Sequence, residues 1–216
     1  MLETIKQQIV DYGKKLIDSG LTSGTGGNVS IFDPNTQLMA ISPSGIDYAE
    51  TTGRDVVLMD LTGNVVEGER KPSSEWQMHL IYYQKRGEEI GAVVHAHSTC
   101  STILATCRKE LPATNYMIAL AGGNNVRCSE YATFGTRELA EASFEAMKDR
   151  YACFLANHGL LTCGKDIQTA FSTAVEIERL AGLHIGATLL GGAVVLPDDE
   201  MERMKTAFQS YGQVKE

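Results

Sequence analysis

Ala92-Val93-Val94-His95-Ala96-His97-Ser98-Thr99 carries an apolar, β-branched run into two histidines one residue apart. On an extended backbone, side chains two apart point to one face. His95 and His97 are therefore expected to project together where a strand runs out. A second apolar run, Ala152 to Asn157, ends in His158-Gly159. Both runs read as strands, and both deliver a histidine at the strand end. Strands here come in groups between helical segments rather than in strict βαβ alternation. That favours an α/β fold, with a mixed sheet flanked by helices.

Working outward, Glu3 to Ser19 shows helical spacing, with Ile5, Ile9, Tyr12, Leu16 and Ile17 on one stripe and Gly20 as a stop. Short strands are expected at Val29–Phe32, Leu38–Ile41 and Val56–Leu61, with turns at Asp33-Pro34-Asn35-Thr36 and Thr62-Gly63-Asn64. Pro72-Ser73-Ser74-Glu75 opens a helix carrying Trp76, Leu80 and Tyr83. After the histidine pair a helix runs from about Ser98 to Cys107. Leu111 to Thr136 reads as irregular. Further helices are expected from Gly135 to about Lys148, from Ile167 to Leu190 and from Asp198 to Gln209, and a strand at Leu160–Cys163. The whole chain, 1–216, reads as one domain with a mobile C-terminal tail from about residue 207.

The composition is that of an ordinary globular protein: 216 residues, 43% hydrophobic and 21% charged. A formal net charge of −8 argues against nucleic acid or an anionic membrane as partner. It leaves room for one phosphate held by a few local donors. Five scattered cysteines without a C-x-x-C fit reduced thiols better than a disulfide framework. The N-terminal stretch lacks the layout of a signal peptide, and the apolar segment around Leu189 to Leu196 is too short to span a membrane. A cytoplasmic protein is the expectation.

Two imidazoles alone do not make a metal site. His158 supplies a third nitrogen, and three histidines with an open position match a catalytic zinc site rather than a closed structural one. Glu75 is the candidate fourth ligand or base, although a carboxylate there is also explained by helix capping. His79, one turn later, is expected to pack or bond on its helix. His184 is expected to be structural. Gly24-Thr25-Gly26-Gly27-Asn28 is neither a Walker A loop nor a dinucleotide fingerprint. It is a turn able to expose several backbone N–H groups as an anion nest. Ser42-Pro43-Ser44-Gly45 and Ser73-Ser74 at a helix start add hydroxyls and amides. Together these turns suggest a phosphate bound by neutral donors.

Taken in order, the Gly-rich turn, S-P-S-G, P-S-S-E, H-A-H and N-H-G resemble the class II aldolase/adducin family, most closely its L-fuculose-1-phosphate aldolases. The likeness extends over Ser23–Ser30, Pro72–Leu80, Ala92–His97, Asn115–Asn124, Tyr131–Leu139 and Asn157–Leu160. It implies a three-layer αβα fold around a mixed, largely antiparallel sheet, and a C4 homotetramer with active sites at subunit interfaces. It implies one Zn²⁺ per subunit on His95, His97 and His158, with Glu75 as exchangeable ligand. Phosphate contacts would come from Gly27, Asn28, Ser44, Gly45, Ser73 and Ser74. Threonine is common in the family where Ser44 stands, and the serine keeps the hydroxyl. Tyr116 matches a tyrosine that reaches into a neighbour's site, and Tyr211 one of the C-terminal tail.

The chemistry follows from the residue types. Cleaving a C–C bond beside a ketone needs a carbanion stabilised as an enediolate, a task for a Lewis-acidic zinc. A carboxylate displaced by substrate can serve as base or acid, and a tyrosine can exchange the proton on the aldehyde-forming oxygen. The resemblance thus implies cleavage of a ketose 1-phosphate, foremost L-fuculose 1-phosphate, to dihydroxyacetone phosphate and L-lactaldehyde. Two reactions on the same scaffold compete. An L-ribulose-5-phosphate 4-epimerase would typically carry aspartate where Glu75 stands. A methylthioribulose-1-phosphate dehydratase is not excluded by the tetrad. A non-enzymatic adducin-like module would not need the tetrad at all.

Overall fold

The computed structural model describes residues 2–209. Its strands are β1 (Asn28–Asp33), β2 (Leu38–Ile41), β3 (Val57–Asp60), β4 (Val65–Glu67), β5 (Ala92–Ala96), β6 (Leu111–Pro112), β7 (Asn125–Cys128), β8 (Ala152–Leu155) and β9 (Gly159–Gly164). They form a nine-stranded sheet in the order β4-β3-β2-β1-β5-β9-β8-β7-β6. Every pairing is antiparallel except β7 with β8, which is parallel. The helices are α1 (Leu2–Asp18), α2 (Trp76–Arg86), α3 (Thr99–Thr106), α4 (Arg137–Ala146), α5 (Ile167–Leu189) and α6 (Asp198–Gln209).

Period-two alternation along the central strands sorts the core into two halves. Val29, Ile31, Ala92, Val94 and Leu160 pack with α1, α3, α5 and α6. Phe32, Val93, Leu161 and Cys163 face the other way, onto α2 and α4. The result is a three-layer αβα molecule. Strand β5 is buried throughout because both of its faces are covered. Each buried valine there contributes about 1.5–3 kcal/mol relative to exposure. Since Val93 faces α2, so does His95, two residues on. Asn28 and Ser30 share that face with Phe32 on β1, and the register sets Asn28 opposite His95. Alternation alone thus brings three polar side chains beneath α2.

Several segments differ from the sequence-based expectation. The stretch from Leu111 to Thr136, expected to be irregular, contains β6, a 3-10 turn over Tyr116–Ala121, and β7. These pieces are short and half-buried, so they leave no periodic signal. Strand β4 is exposed along its length, and no burial pattern marks it either. The strand expected to reach Asn157 stops at Leu155, where the His158 N–H donates to the Leu155 carbonyl across a tight turn. Asn157 takes φ of 55° in that turn, a left-handed conformation asparagine tolerates. Helix α2 begins at Trp76, and Glu75 stands just before its first turn. The expected C-terminal tail meets α6 up to Gln209, and the remainder lies outside the described residues. No described helix is long and apolar enough to cross a membrane.

Candidate metal centre and substrate cleft

His95 is fully buried at the end of β5. Its Nδ1–H donates to the Leu160 carbonyl of β9 at 2.9 Å, which turns the Nε2 lone pair toward His97. The two Nε2 atoms lie 2.9 Å apart. His158 completes the group, with ring centroids 4.7 Å from His95 and 5.1 Å from His97. Two glycines make this convergence possible. A Cβ on Gly159 would stand 2.4 Å from the Ala96 carbonyl, so only glycine lets the turn carrying His158 close on β5. Gly27 has φ of 72°, and a Cβ there would meet the His95 carbonyl at 2.7 Å.

Glu75 reaches the cluster from the start of α2. Its Oε2 is 3.3 Å from His95 Nε2, and its Oε1 is 3.5 Å from His158 Nε2. The carboxylate does not cap its helix, contrary to the capping explanation. The ligand atoms of Glu75, His95, His97 and His158 all lie within 4.8 Å of one another. Burial, then the neighbouring His158 and His97, hold the His95 imidazole well below its usual range. Burial and His158 lower His97 likewise. Imidazoles with their lone pairs turned inward are able to serve as metal donors. Glu75 Oε1 is buried with no hydrogen-bond partner, a costly arrangement unless a cation lies among these donors. Three imidazole nitrogens and one carboxylate suit a divalent metal of the zinc type.

The serine turns assemble beside this group. Pro43 bridges Pro72, with the Ser44 N–H donating to Lys71 O and the Ser73 N–H to Ser42 O, each at 3.0 Å. That staple sets Ser44 and Gly45 next to Ser73 and Ser74. The Tyr48 hydroxyl donates to the Gly27 carbonyl at 3.1 Å and ties the Gly-rich turn to the same corner. The cleft these loops enclose has a volume of about 340 Å³. Gly27, Asn28, Ser44, Gly45, Ser73 and Ser74 line it together with Glu75, His97 and His158, and His95 lies behind. Among the described residues, no lysine or arginine lines the cleft.

Not every sequence-predicted residue falls in this cleft in the expected way. Asn28 lines it, but both ends of its side-chain amide are engaged inside the protein, with Glu75 and His79. Tyr116 opens the 3-10 turn, half-exposed, and its ring stacks on Phe208 of α6 with centroids 6.3 Å apart. It is not among the cleft residues of its own chain. Tyr211 lies outside the described residues. Tyr131 and Phe134, exposed aromatics at the cleft mouth, were not singled out from sequence. They sit in an aperiodic segment that carries no signal for them. His184 lies on α5, its Nδ1 buried and unpartnered.

Residues 7–185 match the family described as the class II aldolase and adducin N-terminal domain. The chain is 53% identical over 213 residues to a 5-deoxy-D-ribulose 1-phosphate aldolase of Bacillus thuringiensis serovar kurstaki, covering 99% of each sequence. It is 40% identical over 209 residues to the L-fuculose phosphate aldolase of Escherichia coli K12, covering 96% of this chain and 95% of that one. A solved structure of an L-fuculose 1-phosphate aldolase superposes with a TM-score of 0.93 at 53% identity, covering 95% of this chain and 96% of that one. The chain belongs to the class II aldolase family and is a lyase of the aldolase type.

Proposed function

We propose that the protein cleaves a ketose 1-phosphate by a zinc-dependent retro-aldol reaction, releasing dihydroxyacetone phosphate and a short aldehyde. The observation that carries this reading is the cleft itself. An open group of three histidines and a glutamate stands beside a corner of serine hydroxyls and glycine amides with no cation in its lining. His95, His97 and His158 would hold the zinc, with Glu75 as the fourth, displaceable donor. Zinc bound there would supply the Lewis acid that takes up charge developing beside the ketone.

The chain's own residues do the rest. Gly27, Asn28, Ser44, Gly45, Ser73 and Ser74 hold the phosphate by hydrogen bonds, and the Asn28 amide also supports the neighbouring carboxylate. That anchor orients the C3–C4 bond toward Glu75. Glu75 Oε1, free of hydrogen bonds, holds or delivers the proton at C3. Tyr116, from an adjoining subunit of a homotetramer, and Tyr211 from the C-terminal segment, serve the aldehyde-forming oxygen. The glutamate at position 75 supports cleavage over epimerisation.

The substrate expectation from sequence was L-fuculose 1-phosphate, giving L-lactaldehyde. The 53% identity to a 5-deoxy-D-ribulose 1-phosphate aldolase adds that shorter deoxy ketose phosphate, which would give acetaldehyde. Both end in a methyl group, which suits the apolar mouth formed by Tyr131 and Phe134. A coupled assay for dihydroxyacetone phosphate, run on both sugars and on L-rhamnulose and D-ribulose 1-phosphates, decides between them. L-Ribulose 5-phosphate serves as the epimerase control. Triose phosphate from none of the 1-phosphates would overturn the reading.

A further inference from the structure

His79 takes part in none of the steps above, yet it is fully buried directly beneath Asn28. Four hydrogen bonds run in series from Tyr83 through it to Glu75, and their directions follow from one fixed point. An ionised Glu75 only accepts, so Asn28 presents its amide N–H to Glu75 Oε2, at 3.0 Å. Asn28 Oδ1 then faces His79 Nε2 at 2.5 Å, and that nitrogen carries a hydrogen. Burial pushes the His79 imidazole down to about 3, so the ring is neutral and Nδ1 accepts. Ser30 donates to it at 2.7 Å, and Tyr83 in turn donates to Ser30 at 2.6 Å. The order is Tyr83, Ser30, His79, Asn28, Glu75, with every donor pointing toward the carboxylate. All five residues are buried, at 0–6% exposure, so water does not substitute for any link.

We propose that His79 is a positioning residue for Glu75, acting through the Asn28 amide. It locks the amide so that Oε2 is anchored and the carboxylate is held in one orientation among the histidines, with Oε1 left free of hydrogen bonds. Without the His79 N–H, Asn28 is free to turn its oxygen toward the carboxylate and repel it. The inference rests on the reading of Glu75 as a metal ligand. It adds a residue from α2 and a hydrogen-bond direction that the ligand set does not contain.

The test uses two substitutions that divide the imidazole. His79→Gln places an N–H where Nε2 stands and keeps the bond to Asn28. His79→Asn places its amide near Nδ1, keeps Ser30 and loses Asn28. Zinc affinity of the metal-loaded full chain is read by competition with a chromogenic chelator. His79→Asn is expected to weaken zinc by about 10–100-fold, as outer partners of metal ligands do. His79→Gln is expected to stay within about twofold of the parent. In a Glu75→Gln background the effect of His79→Asn should vanish, because residues acting in series are not additive.

A His79→Asn chain that binds zinc like the parent, while Glu75→Gln binds weakly, overturns the positioning role and leaves the metal site standing. An undiminished His79→Asn effect in the Glu75→Gln background shows a general packing role and also overturns it. Glu75→Gln binding zinc like the parent removes the reading beneath both. If circular dichroism shows His79→Asn unfolded, Asn28→Leu is measured in the same two backgrounds, with the same expected and overturning results.

Discussion

Glu75 precedes the first turn of α2, where a carboxylate ordinarily accepts from helix amides, yet its side chain turns away to Asn28 and the histidines. Its backbone N–H is met instead by the Ser73 hydroxyl at 3.3 Å. Replacing Glu75 by glutamine is expected to lower turnover by about 100-fold or more while the fold persists, as measured by triose phosphate release and circular dichroism. Asp55 shows the contrasting structural case. Thr52 bonds its carboxyl through hydroxyl and amide, and Arg70 Nε donates at 2.8 Å. The Thr52 hydroxyl, then Arg70, hold this carboxyl below the usual aspartate range. These bonds favour the ionised form, so its stabilisation is complete above the unfolded-state value near 3.9 and is lost as pH falls through the lower folded-state value. Asp55→Asn should cost about 0.2–1 kcal/mol at neutral pH, because Arg70 is largely exposed. Urea midpoints taken across pH should show that gap closing in acid. The shared face of His95 and His97 was legible in the sequence because strand alternation orients them; the Asn28–His79 bond was not, because its partners are 51 positions apart.

At the level of elements, the site depends on how closely the β8–β9 turn approaches β5. Gly159→Ala would drive a methyl against the Ala96 carbonyl. Overpacking of this kind costs about 1–3 kcal/mol. It should also displace His158, so melting temperature and bound zinc per chain are expected to fall together. Loss of stability with full zinc content would sever that link. Helix α3 receives its own support from α5, where Glu178 accepts the Cys100 and Ser101 N–H groups at 2.7 and 2.8 Å. Desolvation raises the Glu178 carboxyl, but those amide bonds prevail and leave it lowered. A bidentate carboxylate cap supplied from a distant helix leaves no local motif. The long amphipathic helices and the buried strands were readable because burial imposes their period; β4, exposed, and β6 and β7, short and half-buried, were not, since such segments impose none.

At the level of the whole molecule, apolar surface remains uncovered on the α5 and C-terminal side, where Leu183, Leu189, Leu190, Val194 and Val195 are exposed. Patches of that kind mark association surfaces. The homotetramer proposed above would bury part of them and bring Tyr116 to an adjoining cleft. Light scattering is expected to give four times the chain mass, and a charged residue at Leu183 to lower both mass and activity. A monomer with full activity would exclude a shared site. Complete chelation of zinc should abolish turnover, and re-addition should restore it.

By itself the sequence determined the strand and helix periods, the pairing of His95 with His97 on one face, and the turns rich in serine and glycine. Each is a local consequence of backbone geometry, legible within a few residues. Only the tertiary structure decided that His158 and Glu75 converge on that pair, that Ser44 and Ser73 share one corner, and that Asn28 faces inward to Glu75 and His79. Those relations join residues 20 to 83 positions apart in the chain. They are set by register, by close backbone contact at Gly27 and Gly159, and by the requirement that buried polar groups find partners.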